Sequence, residues 1–204
     1  RVPHRPPRNY KSITMPNISN LRPDFIAPSV MHITPDFLEE QGIEALSNDV
    51  DGFLMSHHEK RLPEVVRRHL QSISVRGIPI IFSSNAYGER VDELHEIAAT
   101  IDDTVRVVTP AMVTPPGLDP KNFRKPRPEI IKKAAEIAGV DVANLAHGGD
   151  QAMKDVLAAN LAGAKSFLVP KYGEGGDWRV EYLQRPLEAA VLPLIGVRGL
   201  RRVS

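Results

Sequence analysis

Apolar residues recur along the chain in two rhythms. Short runs at 78–82, 105–108, 145–147 and 166–169, bounded by polar or turn residues, predict buried strands. Between them, apolar residues return every three or four positions. Residues 62–76 place Val65, Val66, His69, Leu70 and Ile73 on one helical stripe, with Pro63 suited to a first turn and Gly77 to the position after a helix. Residues 128–138 repeat the pattern with Ile130, Ile131, Ala134 and Ile137 ahead of Gly139, and residues 154–162 do so with Val156, Leu157 and Leu161 ahead of Gly163. An earlier helix is expected to start at Thr34, with Pro35 in its first turn, and to end near Gly42. The segment 45–48 reads as a poor buried strand, because Ser47 and Asn48 interrupt its apolar run.

Strand and helix in alternation predict an α/β fold, a mostly parallel sheet with helices on both faces. Ligands in such sheets sit beyond the carboxyl ends of the strands, where strand order reverses. The chemistry is therefore expected just after each strand. Two segments fall outside the alternation. Residues 1–22 carry Pro3, Pro6, Pro7 and Pro16 among Arg1, Arg5, Arg8 and Lys11, without period, and read as an extended basic arm ahead of a single domain over 23–204. Residues 178–204 interleave Trp178, Tyr182, Leu183 and Leu187 with Arg179, Arg185, Arg198, Arg201 and Arg202, a basic amphipathic segment that suits either an anionic membrane surface or the cover of a sheet edge.

Polar residues cluster where the strands end. After 45–48 comes Asp49-Val50-Asp51-Gly52, two carboxylates that converge only through a turn, which Gly52 permits; taken alone this is equally an acidic surface turn. After 78–82 comes Ser83-Ser84-Asn85, where a hydroxyl followed by backbone N–H groups opening a helix suits a phosphate oxygen or a plain helix cap. Lys125, ahead of the helix at Pro128, offers a point charge for phosphate or a solvated surface lysine. After 145–147 comes Gly148-Gly149-Asp150-Gln151, with Asp155 about one turn on, a carboxylate pair suited to a hard divalent cation or to a capped helix start.

Composition narrows this picture by exclusion. A chain of 204 residues supports one domain with a real core, and a formal net charge of +1 gives no excess that would call for nucleic acid. Absence of cysteine rules out disulfides and thiolate zinc sites and suits a reducing compartment, cytoplasm or organelle matrix. No apolar run approaches the roughly 20 residues that span a bilayer. Opening on Arg1, the chain is expected to be processed, trimmed or incomplete, with a preceding targeting segment left open. No Gly-x-Gly-x-x-Gly follows a strand, and Gly148-Gly149 lacks the Lys-Ser/Thr of a nucleoside triphosphate loop.

The order of these pieces is more specific than any one of them. Asp49-x-Asp51, Ser84, Lys125 and Gly149-Asp150-(x)4-Asp155 resemble, in sequence order, the four-motif signature of the haloacid dehalogenase (HAD) superfamily over residues 45–170. Leu21-Arg22-Pro23-Asp24, Ser84-Asn85, Arg124-Lys125-Pro126 and the run from Gly149-Asp150-Gln151 to Asp155-Val156-Leu157 look like its YqeG-type branch, which includes phosphatidylglycerophosphate phosphatases. The resemblance implies a Rossmann-like three-layer core without a large cap domain, and a phosphomonoester hydrolase. It implies Asp49 as nucleophile, Asp51 as acid and base, Ser84 on a phosphoryl oxygen, and Asn85 as a cofactor-binding residue. Lys125 would offset charge, and Mg2+ would be held by Asp49, the Asp51 carbonyl and Asp150, with Asp155 in support. The implied partner is a phosphorylated substrate, an anionic phospholipid met by peripheral contact with a membrane.

Two residues depart from the pattern. Phe53 stands where the superfamily has a small residue and is expected to narrow the site; Lys154 stands where the branch has Thr before the final Asp. Residues 109–122, with four prolines, look like an insertion suited to a flap. These departures keep two rival readings open: a HAD-fold binding or structural subunit with little catalysis, and a phosphatase for soluble sugar or nucleotide phosphates.

Overall fold

The computed structural model describes residues 17–57 and 59–173, together with the backbone of 201–202. Its framework is one parallel sheet in the order β4-β3-β2-β5-β6-β1-β7. The strands are β1 (Phe25–Ile26), β2 (Ala45–Asn48), β3 (Ile80–Ser83), β4 (Arg106–Val108), β5 (Leu145–Gly149), β6 (Lys165–Leu168) and β7 (Arg201–Arg202). From β2 the chain builds outward through β3 to β4; it then returns to place β5 on the other side of β2 and β6 beyond it. Strand order thus reverses between β2 and β5, and the crevice there is the topological switch point.

The helices are α1 (Pro35–Glu40), α2 (Glu64–Val75), α3 (Glu89–Ala99), α4 (Pro110–Val113), α5 (Glu129–Ala138) and α6 (Leu157–Ala162). One core packs large side chains from α1, α2 and α3, such as Leu38, Leu70, Ile73 and Leu94, with Leu46, Phe82 and Phe167 of the sheet. The other is built largely from alanines and short aliphatics of α5 and α6, among them Ile130, Ile131, Ala134, Ala158 and Ala159. The Rossmann-like three-layer fold is therefore as the alternation and the resemblance imply. Only a loop and α2 separate β2 from β3, and only α3, β4, α4 and short turns separate β3 from Lys125, so no large cap intervenes.

The helix ends follow local chemistry. Thr34 accepts from the Phe37 N–H at 3.2 Å and caps α1. Gly139 and Gly163 take left-handed conformations after α5 and α6, where a side chain would be strained.

The structure corrects several expectations. Val65 belongs to the predicted stripe of α2 yet is 57% exposed; Val66, His69, Leu70 and Ile73 alone face the core. Leu161 is 39% exposed. The helix expected from Lys154 opens instead as a π-helical turn over Ala152–Val156, and only α6 is regular. Most consequential, 45–48 is not a poor strand: it is β2, buried along its whole length between β3 and β5. Ser47 is tolerated because its Oγ lies 2.7 Å from Ser83 Oγ and 2.9 Å from His147 Nδ1, so its polar atom is paired inside the core. Residues 109–122 carry α4 and a short 3-10 turn, Pro120–Phe123, whose Phe123 is buried. The end of the expected arm, 17–22, includes a 3-10 turn at Ile18–Leu21, and the carbonyls of Asn20 and Arg22 accept from Asn160 Nδ2 at 2.7 and 2.9 Å. Residues 1–16 and, apart from the backbone of 201–202, the amphipathic segment 178–204 lie outside the described residues.

Candidate active site

Asp49 is the first residue beyond β2 and Asp150 the first beyond β5. The Asp49 N–H donates to the Gly148 carbonyl at 2.8 Å, which carries the pairing of the two strands one step past the ladder. Asp155 comes from the π-helical turn that follows β5. One oxygen from each of Asp49, Asp150 and Asp155 lies within 4.8 Å of the others, and all three residues are buried.

Two ammoniums enter this acidic pocket. Lys125, whose side chain is wholly buried, places Nζ 3.0 Å from Asp49 Oδ1 and 2.7 Å from Asp155 Oδ1. Lys154 places Nζ 2.7 Å from Asp49 Oδ2 and 3.6 Å from Asp155 Oδ2. Both oxygens of Asp49 are thus engaged. Burial pushes the Asp49 carboxyl up, but Lys125 and Lys154 outweigh it and hold the group below its ordinary value. Asp155 behaves alike: burial opposes ionisation, and the same two lysines drive it far below the usual carboxylate range. Burial disfavours the Lys154 charge, yet Asp155, Asp49 and Asp150 together raise its pKa well above normal. The pocket is therefore a charged network at neutral pH.

Beneath it sits His147. With the Ser47 hydroxyl donating to Ser83, the ring presents Nδ1–H to Ser47 and its Nε2 lone pair to Lys125 Nζ at 3.4 Å. Burial, aided by the Lys125 charge, lowers its pKa and keeps it neutral. His147 thus steers Lys125 without adding charge.

The other predicted residues line the rim and the supports of this pocket. Asp51 lies on the rim, where Arg90 from α3 donates to Oδ1 at 2.5 Å and, less closely, to Oδ2 at 3.4 Å. Arg90 also reaches Glu93 and the Glu59 carbonyl, each at 2.8 Å, which ties the loop after β2 to α3. Gly52 makes the turn between the two aspartates at φ 84°, and a Cβ there would come within 3.1 Å of Asp150 Oδ2 and 2.8 Å of the His57 ring. Ser84 is buried just beyond β3, where its N–H donates to Val108 and its Oγ accepts from the Ala86 N–H at 3.2 Å. The helix expected to open at once after it starts only at Glu89. Asn85 clasps the backbone of Lys125: its Oδ1 accepts from the Lys125 N–H at 2.8 Å and its Nδ2 donates to the Lys125 carbonyl at 3.2 Å. This bracket fixes where the Lys125 side chain starts.

Phe53 does not narrow the site. Its ring is buried in the large-side-chain core, and Gly148 makes the room, since a Cβ there would lie 2.6 Å from Phe53 Cζ. Lys154, His147 and Arg90 are the residues that sequence reasoning did not place in the site. For His147 a signal existed: its register partner in β2 is Ser47, so alternation puts both on the side of Asp49. Lys154 was visible only as a departure from the motif, and nothing local marks Arg90.

Chemically, the three carboxylates form a hard-oxygen donor set that fits a divalent cation such as magnesium, and the Lys154 ammonium already lies against two of them, Asp49 and Asp155. A model for haloacid dehalogenase-like hydrolases matches residues 10–163. No curated protein sequence matches the chain. Among solved structures, a HAD family hydrolase from Deinococcus radiodurans R1 with bound phosphate and sodium is similar at 16% identity and TM-score 0.51, covering 79% of this chain and 90% of that one. NagD from E. coli K-12 is similar at 14% identity and TM-score 0.48, covering 69% and 92%. A β-phosphoglucomutase from Clostridium difficile is similar at 14% identity and TM-score 0.44, covering 75% and 99%.

Proposed function

Because the chain belongs to the haloacid dehalogenase-like hydrolase family, we propose that it is a magnesium-dependent phosphomonoester hydrolase that works through an aspartyl-phosphate on Asp49. The observation that carries this reading is the Asp49 carboxylate itself. It stands at the switch point of the sheet, buried, and is kept ionised by two ammoniums. A buried carboxylate in that position is a nucleophile that has already been desolvated and charge-balanced.

In the first step an Asp49 oxygen forms a bond to phosphorus and the bond from phosphorus to the ester oxygen breaks, with Asp51 supplying the proton to the leaving alcohol. In the second, Asp51 takes a proton from water, which attacks phosphorus and releases phosphate and free Asp49. Acid–base assistance of this kind contributes ~10²–10⁴-fold in rate. Arg90 engages both oxygens of Asp51, so protonating the leaving oxygen in the first step requires that pair to open. Lys125 stabilises charge on Asp49 and on the transferred group, and Ser84 donates to a phosphoryl oxygen. Asp49, Asp150, Asp155 and the Asp51 carbonyl would hold the magnesium ion, which neutralises the repulsion between carboxylate and phosphate.

The substrate that fits best is phosphatidylglycerophosphate. The resemblance to the YqeG-type branch supports it, as do the absence of a large cap among the described residues and the basic composition of the arm and C-terminal segment, which suits an anionic surface. Two measurements test the reading. Asp49→Asn preserves shape but removes the nucleophile, and magnesium-supported phosphate release is expected to vanish; a variant retaining a tenth of wild-type turnover overturns the covalent mechanism. In mixed micelles the lipid is expected to show a higher specificity constant than glycerol 3-phosphate, sugar phosphates or nucleoside monophosphates. A soluble phosphate that surpasses it removes the lipid from the proposal.

A further inference from the structure

Lys154 sits where a bound metal would be needed, and neither step of the proposed hydrolysis uses it. Its ammonium is 2.7 Å from Asp49 Oδ2 and 3.6 Å from Asp155 Oδ2, inside a group of carboxylates that are all within 4.8 Å of one another. The backbone explains how it gets there. Neighbouring residues of a regular α-helix point about 100° apart, yet Lys154 and Asp155 both reach the same pocket. The wider π-helical turn at Ala152–Val156, closed by the Leu157 N–H donating to the Ala152 carbonyl, allows it.

The two lysines of the pocket differ in freedom. Lys125 is wholly buried, clasped by Asn85 through its backbone, and bonded to two carboxylates. Lys154 has a side chain 19% exposed, with one ion contact at 2.7 Å and a longer one at 3.6 Å, so it has a route to solvent that Lys125 lacks. Charge balance decides between the two ways a metal could enter. Three carboxylates facing two ammoniums leave one negative charge. A dication added to that pocket overshoots neutrality, whereas a dication that replaces Lys154 reaches it.

From this we infer that Lys154 is a metal-displaceable latch on the nucleophile. It occupies the cation position, engages Asp49 Oδ2, and must leave before a divalent ion can bind. The inference rests on the reading of the carboxylate cluster as a divalent-cation site. The latch makes metal affinity a competition and keeps Asp49 masked when divalent ions are scarce.

The test uses the full chain and Mn2+ as the probe, with binding followed by the loss of the free-ion paramagnetic resonance signal. Lys154→Met, which keeps the length of the stem, and Lys154→Thr are each expected to bind Mn2+ about tenfold or more tightly than wild type, because the internal competitor is gone. Equal or weaker binding in both variants overturns the latch. A second measurement needs no variant: acylation of the Lys154 amine, read by mass spectrometry, is expected to be slow without metal and several-fold faster in saturating Mn2+. Unchanged reactivity also overturns it. Failure here is distinguishable from failure of the hydrolase reading. Tighter Mn2+ binding together with an active Asp49→Asn variant removes the aspartyl-phosphate and leaves the latch; unchanged binding together with an inactive Asp49→Asn variant does the reverse.

Discussion

Asp49 and Asp51 are two residues apart, yet their surroundings differ as floor differs from rim. Asp49 has a side chain 5% exposed, lies among strand ends brought together by the sheet, and has one lysine on each oxygen. Asp51 has a side chain 24% exposed and is held by a single arginine that divides itself among Asp51, Glu93 and the Glu59 carbonyl. The difference separates what must be rigid from what must move. A nucleophile gains from preorganised, water-poor electrostatics. An acid–base group must exchange protons with substrate and water, and so needs partners that can let go.

The largest effect is expected on the floor. Lys125→Met removes a fully buried ammonium and leaves Asp49 and Asp155 short of charge, which should cost about 3 kcal/mol or more of stability along with nearly all turnover. Denaturant unfolding checks it; a loss below about 1 kcal/mol would place the floor in the same class as the rim. Arg90→Gln, by contrast, removes a partly exposed pair and should change stability by less than about 1 kcal/mol. Its signature is catalytic. With the pair gone, Asp51 turns to the leaving oxygen without first breaking a contact, so turnover of an alkyl phosphate should rise several-fold relative to p-nitrophenyl phosphate, whose leaving group depends little on Asp51. An unchanged ratio would show that Arg90 does not govern Asp51.

The smallest effect lies outside both regions. His69 on α2 is buried, and burial lowers its pKa despite the hydrogen bond that Nε2 makes to the Ile33 carbonyl at 3.1 Å. The folded value is depressed, so the unfolded chain takes up the proton first. Stability that is full above the ordinary histidine value of about 6.5 is lost as pH falls from there toward the folded value. Asp49 and Asp155 are held below the usual carboxylate range and lose their contribution only at more acid pH. A modest drop in melting temperature between pH 7 and 5 is therefore expected, and His69→Gln should flatten part of it. His57 and His147 shift in the same direction and account for the rest.

The floor was more legible in the sequence than the rim, for a reason rooted in topology. Asp49, Asp150 and Lys125 each follow a strand or precede a helix whose apolar rhythm is visible, and a parallel sheet gathers such positions at one edge. Their convergence is a consequence of strand order, which periodicity reveals. Arg90 meets Asp51 through the packing of α3 against a loop, and no local pattern encodes that. Phe53 misled for a related reason: its bulk is plain in the sequence, but the space for it comes from Gly148, nearly a hundred residues away.

By itself, then, the sequence determined the alternation of strand and helix, the order in which charged residues meet strand ends, and the family resemblance that this order carries. These are matters of period and spacing, set by neighbours along the chain. Only the tertiary structure decided that β2 tolerates Ser47 at full burial, that His147 lies neutral under Lys125, that Arg90 holds Asp51, and that Lys154 folds back onto Asp49. Each of these depends on which way a side chain points and what a distant segment places opposite it. Those are set by packing and by electrostatic balance in a space from which water is excluded, and neither exists until the chain has closed on itself.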